Sequence, residues 1–124
     1  MSSALEEKMA VWRLIEQHLG NELRPVKASR PDCRGDVRRQ LLLFMTFSKT
    51  DQLFYDLNDS DITEWSASYK QAFVVFVLGR SDDVLIVPIR EMAAKLHAQY
   101  HRSEGGNYKL HVQEFSGERI RFIT

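Results

Sequence analysis

The chain reads as an α+β domain: a mainly antiparallel sheet of about six strands built from hairpins, with an N-terminal helix and a second helix packed on it. Three observations predict this. Leu5, Met9, Trp12, Ile15 and Leu19 recur at three- and four-residue spacing, the period of one helix face. Leu41–Phe47 and Phe73–Leu78 are apolar runs of strand length. Strand-like segments then follow one another in pairs across Gly, Ser and Asp turns, which favours antiparallel neighbours. With 124 residues, 44% hydrophobic and 27% charged, residues 1–124 suit one globular domain. A chain of this size buries enough surface to need neither a disulfide nor a metal to fold.

The helix comes first. Ser3-Ala4-Leu5-Glu6 has the form of a capping box, in which the hydroxyl accepts from a free first-turn amide and the carboxylate reaches back. Gly20 suits the stop, because a left-handed cap costs glycine little. Residues 21–39 read as an irregular arm, since Pro25 and Pro31 remove backbone donors and Gly35 loosens the chain. Leu41–Phe47 is apolar throughout, as expected of a strand covered on both faces. Ser48-Lys49-Thr50-Asp51 reads as a hairpin loop and Leu53–Leu57 as the returning strand, with Leu53, Tyr55 and Leu57 on one face. Asp61-Ile62-Thr63-Glu64 predicts a short helix running to about Tyr69.

Phe73–Leu78 opens a second hairpin, turned by Gly79–Asp83 and returned by Val84–Val87. Pro88 suits the first position of a helix whose buried stripe is Ile89, Met92, Leu96 and Tyr100. Both helices are expected on one face of the sheet. After a loop at Ser103–Asn107, Tyr108, Leu110 and Val112 alternate with Lys109, His111 and Gln113, as in a half-buried strand. Arg119–Ile123 forms the last strand, with Ile120 and Phe122 on one face and Arg119 and Arg121 on the other.

Lys and Arg equal Asp and Glu at 17 each, so no overall field steers the protein toward nucleic acid or a membrane. Cys33 is the single cysteine; it forms no internal disulfide and points to a reducing compartment. The first residues carry acids rather than a signal-peptide core, and the apolar runs are too short to span a bilayer. A cytoplasmic protein without membrane contact is expected.

Charge is segregated locally. Residues 24–39 hold Arg24, Lys27, Arg30, Arg34, Arg38 and Arg39 against Asp32 and Asp36, a net of +4. Residues 51–64 hold Asp51, Asp56, Asp59, Asp61 and Glu64 with no cation, a net of −5. Arginine suits bidentate phosphate contact, so the arm is a candidate phosphate-binding surface. The plainer reading pairs it with the acidic block, within the domain or across a dimer. If the last two strands pair, Lys109, His111, Arg119 and Arg121 make a second basic patch.

Sequence motifs exclude more than they assign. Ala72–Phe76 matches the back half of an RNA-recognition signature, but Tyr69, Lys70 and Gln71 stand where a cation, a glycine and an aromatic are required. Neither frame starting at Asp56 or Asp59 places the glycine and glutamate of an EF-hand. His97 and His101 have metal-binding spacing, but no Glu follows His97, and histidine in a last helical turn is ordinary capping chemistry. A nuclease centre would need Asp56, Glu114 and a histidine to converge. Cys33 sits among arginines but lacks an identified base. No catalytic residue, metal ligand or cofactor is assigned.

The leading expectation is a non-catalytic nucleic-acid-binding accessory or regulatory domain. Arg24, Lys27, Arg30, Arg34, Arg38 and Arg39 would contact phosphates, and Lys109, Arg119 and Arg121 would extend the track across the sheet. The second is a protein-interaction module, including a homo-oligomer, with complementary basic and acidic surfaces. The third is a metal-dependent nuclease.

Overall fold

A computed structural model describes residues 4–26, 32–48, 54–79, 83–100, 102–112 and 117–121. The element order is α1 (Ala4–Leu19), β1 (Arg24–Pro25), β2 (Cys33–Asp36), a 3₁₀ turn (Val37–Arg39), β3 (Leu41–Phe47), β4 (Phe54–Asn58), α2 (Asp59–Ser68), β5 (Gln71–Val77), β6 (Asp83–Pro88), α3 (Ile89–Gln99), β7 (Asn107–His111) and β8 (Glu118–Arg121). The fold is α+β. Six strands form one sheet in the order β1-β2-β3-β5-β6-β8, and β4 and β7 form a separate two-stranded ribbon.

The sheet is mixed. β3 and β5 pair in parallel, with Leu41 opposite Gln71 and Phe47 opposite Val77, while the other five junctions in the two sheets are antiparallel. The hairpin expected between Leu41–Phe47 and Leu53–Leu57 therefore does not form. β4 instead pairs with β7, Asn58 lying opposite Asn107. The physical reason is coverage. β3 and β5 carry apolar side chains toward both faces, so each needs two covered faces, which the centre of a sheet provides. β4 buries Tyr55 and Leu57 on one face, and Asp56 and Asn58 on the other are half-buried, which suits a ribbon with one face on the core. The hairpin expected at Phe73–Val87 does form as β5–β6, its turn entered through Gly79 at φ 80°.

Alternation along the central strands divides the core into two layers. Leu43, Met45, Val75, Val77 and Val84 pack with Val11, Trp12 and Ile15 of α1. Leu42, Val74, Phe76 and Val87 pack on the other side with Ile62 and Trp65 of α2, Met92 and Leu96 of α3, and Tyr55, Leu57, Tyr108 and Leu110 of the ribbon. The helices thus lie on both faces rather than one. The ribbon is fastened to the sheet by Tyr55, whose ring meets Phe76 edge-on at 4.9 Å and whose hydroxyl donates to the Val77 carbonyl. Burial pushes the Tyr55 phenol up to about 12.

Local chemistry sets the helix ends. At Gly20, φ 74°, the backbone turns left-handed and both its N–H and that of Asn21 return to the Glu16 carbonyl, the stop predicted for α1. The capping box at Ser3 lies outside the described residues. α2 starts three residues earlier than its acids suggested, because Asn58 rather than Asp61 is the cap: its side-chain oxygen accepts from the N–H groups of Ser60 and Asp61 at 3.0 and 3.3 Å. Among the described residues no helix is long and apolar enough to cross a membrane.

Candidate functional site

The basic arm is a sheet edge. β1 and β2 pair with each other, and β2 continues onto β3. Gly35 makes this approach feasible, since a Cβ there would lie 2.2 Å from the Leu41 carbonyl oxygen. Alternation along β2 then decides the fate of its side chains. Cys33 faces the α2–α3 layer and is 3% exposed, so the candidate thiol is a core residue.

Arg34 faces α1. Its guanidinium carbon lies 5.6 Å from the Trp12 ring centroid, and Nη1 lies 3.9 Å from Glu16 Oε1 and donates to the Leu23 carbonyl at 3.5 Å. Nη2 reaches Met9 Sδ at 3.3 Å. The side chain is only 15% exposed. This cation–π and ion-pair arrangement joins β2 to α1 and turns Arg34 away from an external phosphate. Glu16 also accepts from the Leu23 N–H at 2.9 Å, so the same carboxylate pins the chain just after α1.

Arg24, Arg38 and Arg39 remain exposed at this edge. Asp36 organises the turn that carries two of them: it accepts from the Arg38 N–H at 3.1 Å and lies 3.6 Å from Arg39 Nε. Gln40 takes a left-handed conformation, φ 54°, which returns the chain to β3, and its carbonyl accepts from the Gln71 N–H. The two consecutive arginines thereby enter two depressions. Arg38 lines a groove of about 590 Å³ with Arg24, Glu22, Asp36 and Tyr69. Arg39 lines a second groove, of about 320 Å³, on the α1 side, with an apolar floor of Leu41, Leu43, Phe73 and Ile86. Lys27 and Arg30 lie outside the described residues.

The other predicted cations are not part of this edge. β7 and β8 do not pair, so the expected second patch does not form. Lys109 is on the ribbon, opposite Asp56. Arg119 and Arg121 are on β8, at the far edge of the sheet from β1. Arg119 donates to both carboxylate oxygens of Asp83, at 3.1 and 2.8 Å. These bonds raise the Arg119 pKa, and they compensate a carboxylate that is 5% exposed. Within the acidic block, Asp59 turns to α3 and the loop after it.

That contact was not anticipated from sequence. Asp59 Oδ1 meets His97 Nε2 at 2.8 Å and accepts from the Tyr108 hydroxyl at 3.0 Å, while Oδ2 accepts from Arg102 at 2.9 Å. The hydrogen bond from His97, with those from Tyr108 and Arg102, holds the Asp59 carboxyl below its usual value. The neighbouring loop is tied down as well: the Asp59 N–H donates to the Gly106 carbonyl and Asn58 Nδ2 to Asn107 Oδ1. Every partner of Asp59 comes from a different position on the α3–β7 segment, so the arrangement reads as a structural tie. Glu114 and His101 lie outside the described residues, and His97 binds Asp59 rather than Asp56. Among the described residues no three His, Cys, Asp or Glu gather as a metal-binding set.

No protein-family model, curated protein or solved structure matches the chain, so its own residues carry the functional reading.

Proposed function

We propose that the protein is a non-catalytic nucleic-acid-binding accessory domain of the cytoplasm, with its interface at the β1–β2 edge. The observation that carries the reading is that Arg24 on β1 and Arg38 and Arg39 in the turn that ends β2 are all exposed, Arg24 and Arg38 lining one groove with Tyr69 and Arg39 the groove on the α1 side. Guanidinium groups on an edge suit phosphate contact, and an aromatic side chain lining the same groove is the kind of group on which a base stacks. Glu22 and Asp36 share the groove and limit its net charge, which favours a modest, backbone-directed affinity over tight binding. Lys27 and Arg30 belong to the same arm in sequence. Arg34, Lys109, Arg119 and Arg121 are left out of the interface, being held elsewhere or placed on other edges.

The test is fluorescence anisotropy with labelled duplex DNA, single-stranded DNA and RNA across a salt series. The Arg24→Ala/Arg38→Ala/Arg39→Ala variant should weaken binding and flatten the log–log salt slope by roughly 0.7–0.9 per lost phosphate contact. Arg34→Ala serves as the contrast: it should lower stability without changing the slope of the folded protein. Wild-type protein that binds none of the three nucleic acids at low salt overturns the proposal.

A further inference from the structure

We infer that Lys70 is a further phosphate contact, so that a nucleic-acid backbone crosses the end of the sheet from β1 over β2 and β3 to β5. The inference rests on the nucleic-acid reading and carries its interface beyond the basic arm. Lys70 is remote from the arm in sequence and reaches it through the parallel pairing of β3 with β5. Because that pairing is parallel, both strands enter the sheet at the same end. The turn Arg38-Arg39-Gln40 therefore lies beside the turn Tyr69-Lys70-Gln71. The Gln71 N–H donates to the Gln40 carbonyl at 3.1 Å and ties the two turns together.

The grooves on the two faces fix where Lys70 stands. Tyr69 lines the groove of Arg24 and Arg38, and Gln71 lines the groove of Arg39. Lys70, between them in the chain, is on the ridge that separates the grooves, and it is exposed. Among the described residues Lys70, Arg24 and the Arg38 guanidinium have no ion-pair partner, whereas Arg39 lies beside Asp36. The segments at this end, residues 22–25, 36–40 and 69–71, carry Arg24, Arg38, Arg39 and Lys70 against Glu22 and Asp36, a net of +2. Glu118, the further carboxylate of the α1-side groove, is on β8, two strands beyond β5. With neighbouring strands about 4.8 Å apart, the line from β1 to β5 runs about 14 Å, enough for several phosphates of one strand. A cation here also suits the C-terminal end of α2, whose cap is Tyr69. That structural role would alter stability and leave the salt dependence of binding alone.

Fluorescence anisotropy of the full chain with labelled duplex DNA, single-stranded DNA and RNA across a salt series tests this. Lys70→Gln should keep the wild-type circular dichroism, flatten the log–log salt slope by roughly 0.7–0.9 and weaken binding about five- to eightfold near 0.1 M salt. Lys70→Arg, which keeps the charge, should retain wild-type values. Lys109→Ala, which removes an exposed lysine of the ribbon, should change neither slope nor affinity. If the Arg24→Ala/Arg38→Ala/Arg39→Ala variant flattens the slope and Lys70→Gln does not, this inference is overturned and the nucleic-acid reading stands. A slope that Lys109→Ala flattens as much as Lys70→Gln does would make the effect one of general charge and equally overturn it. Wild-type protein that binds none of the three at low salt overturns both.

Discussion

Asp59 illustrates how one side chain can serve several elements. Its carboxylate is 17% exposed and holds His97 of α3, Arg102 of the following loop and Tyr108 of β7 to the start of α2. Its pKa is lower in the folded chain than the ordinary 3.8. The contribution is therefore complete above the unfolded value and is lost as pH falls through the folded one. Asp59→Asn should cost about 1.5–3 kcal/mol at neutral pH, the range for hydrogen bonds to a charged group. In urea melts across the acid range it should also show a shallower loss of stability below about pH 4 than the wild type. Spacing alone placed Asp59 in an acidic block and read His97 as helix-end capping. Their contact spans 38 residues, and no periodicity reports a pair that far apart. The fate of Arg34 was hidden for the same reason. Its charge was plain in the sequence, but its direction depends on the parity of β2 against β3, which only pairing sets.

At the scale of elements, legibility follows how local the determining signal is. The stop of α1 at Gly20, the β5–β6 hairpin and the stripe of α3 rest on residues within a few positions of one another, and each is present, the stripe as Ile89, Met92 and Leu96 with Tyr100 falling at the C-cap instead. Pro25, Pro31 and Gly35 make residues 21–39 read as an irregular arm, yet Cys33–Asp36 is extended because β3 offers it a ladder. α2 shows the balance between the two. Its acids announced a helix, yet Asn58 caps it, and that amide also donates to Asn107 at 3.1 Å. Asn58→Ala should cost about 1 kcal/mol for the cap alone, and more through the lost tie to Asn107. Asn58→Asp should retain the cap and lose only the tie, so thermal melts of the two variants separate the contributions.

For the whole molecule, the fold class was legible and the strand order was not. Composition and alternation identify a sheet with helices, but the choice between a β3–β4 hairpin and a β3–β5 parallel pair turns on which strands need two covered faces. The asymmetry is visible in the sequence: Leu41–Phe47 and Ala72–Leu78 are apolar on both parities, whereas Phe54–Asn58 alternates. The turn-forming residues at 48–51 outweighed it. The apolar groove was illegible for a different reason. Its floor draws on β3, β5 and β6, and whether a helix covers those residues is a property of the assembled layers.

The ribbon has a consequence for the order in which the chain becomes a protein. β4 leaves the ribosome about fifty residues ahead of β7, its sole partner strand among the described residues. Until β7 arrives, Tyr55 and Leu57 have a sheet to lie on but no ladder beside them, and the layer around α2 and α3 lacks its outer wall. The domain therefore completes itself late rather than progressively. A nascent chain stalled with Gln99 just outside the tunnel should be cut by protease around β4, and one stalled with His111 outside should resist. Equal protection at both lengths would mean that β4 is held by the sheet alone.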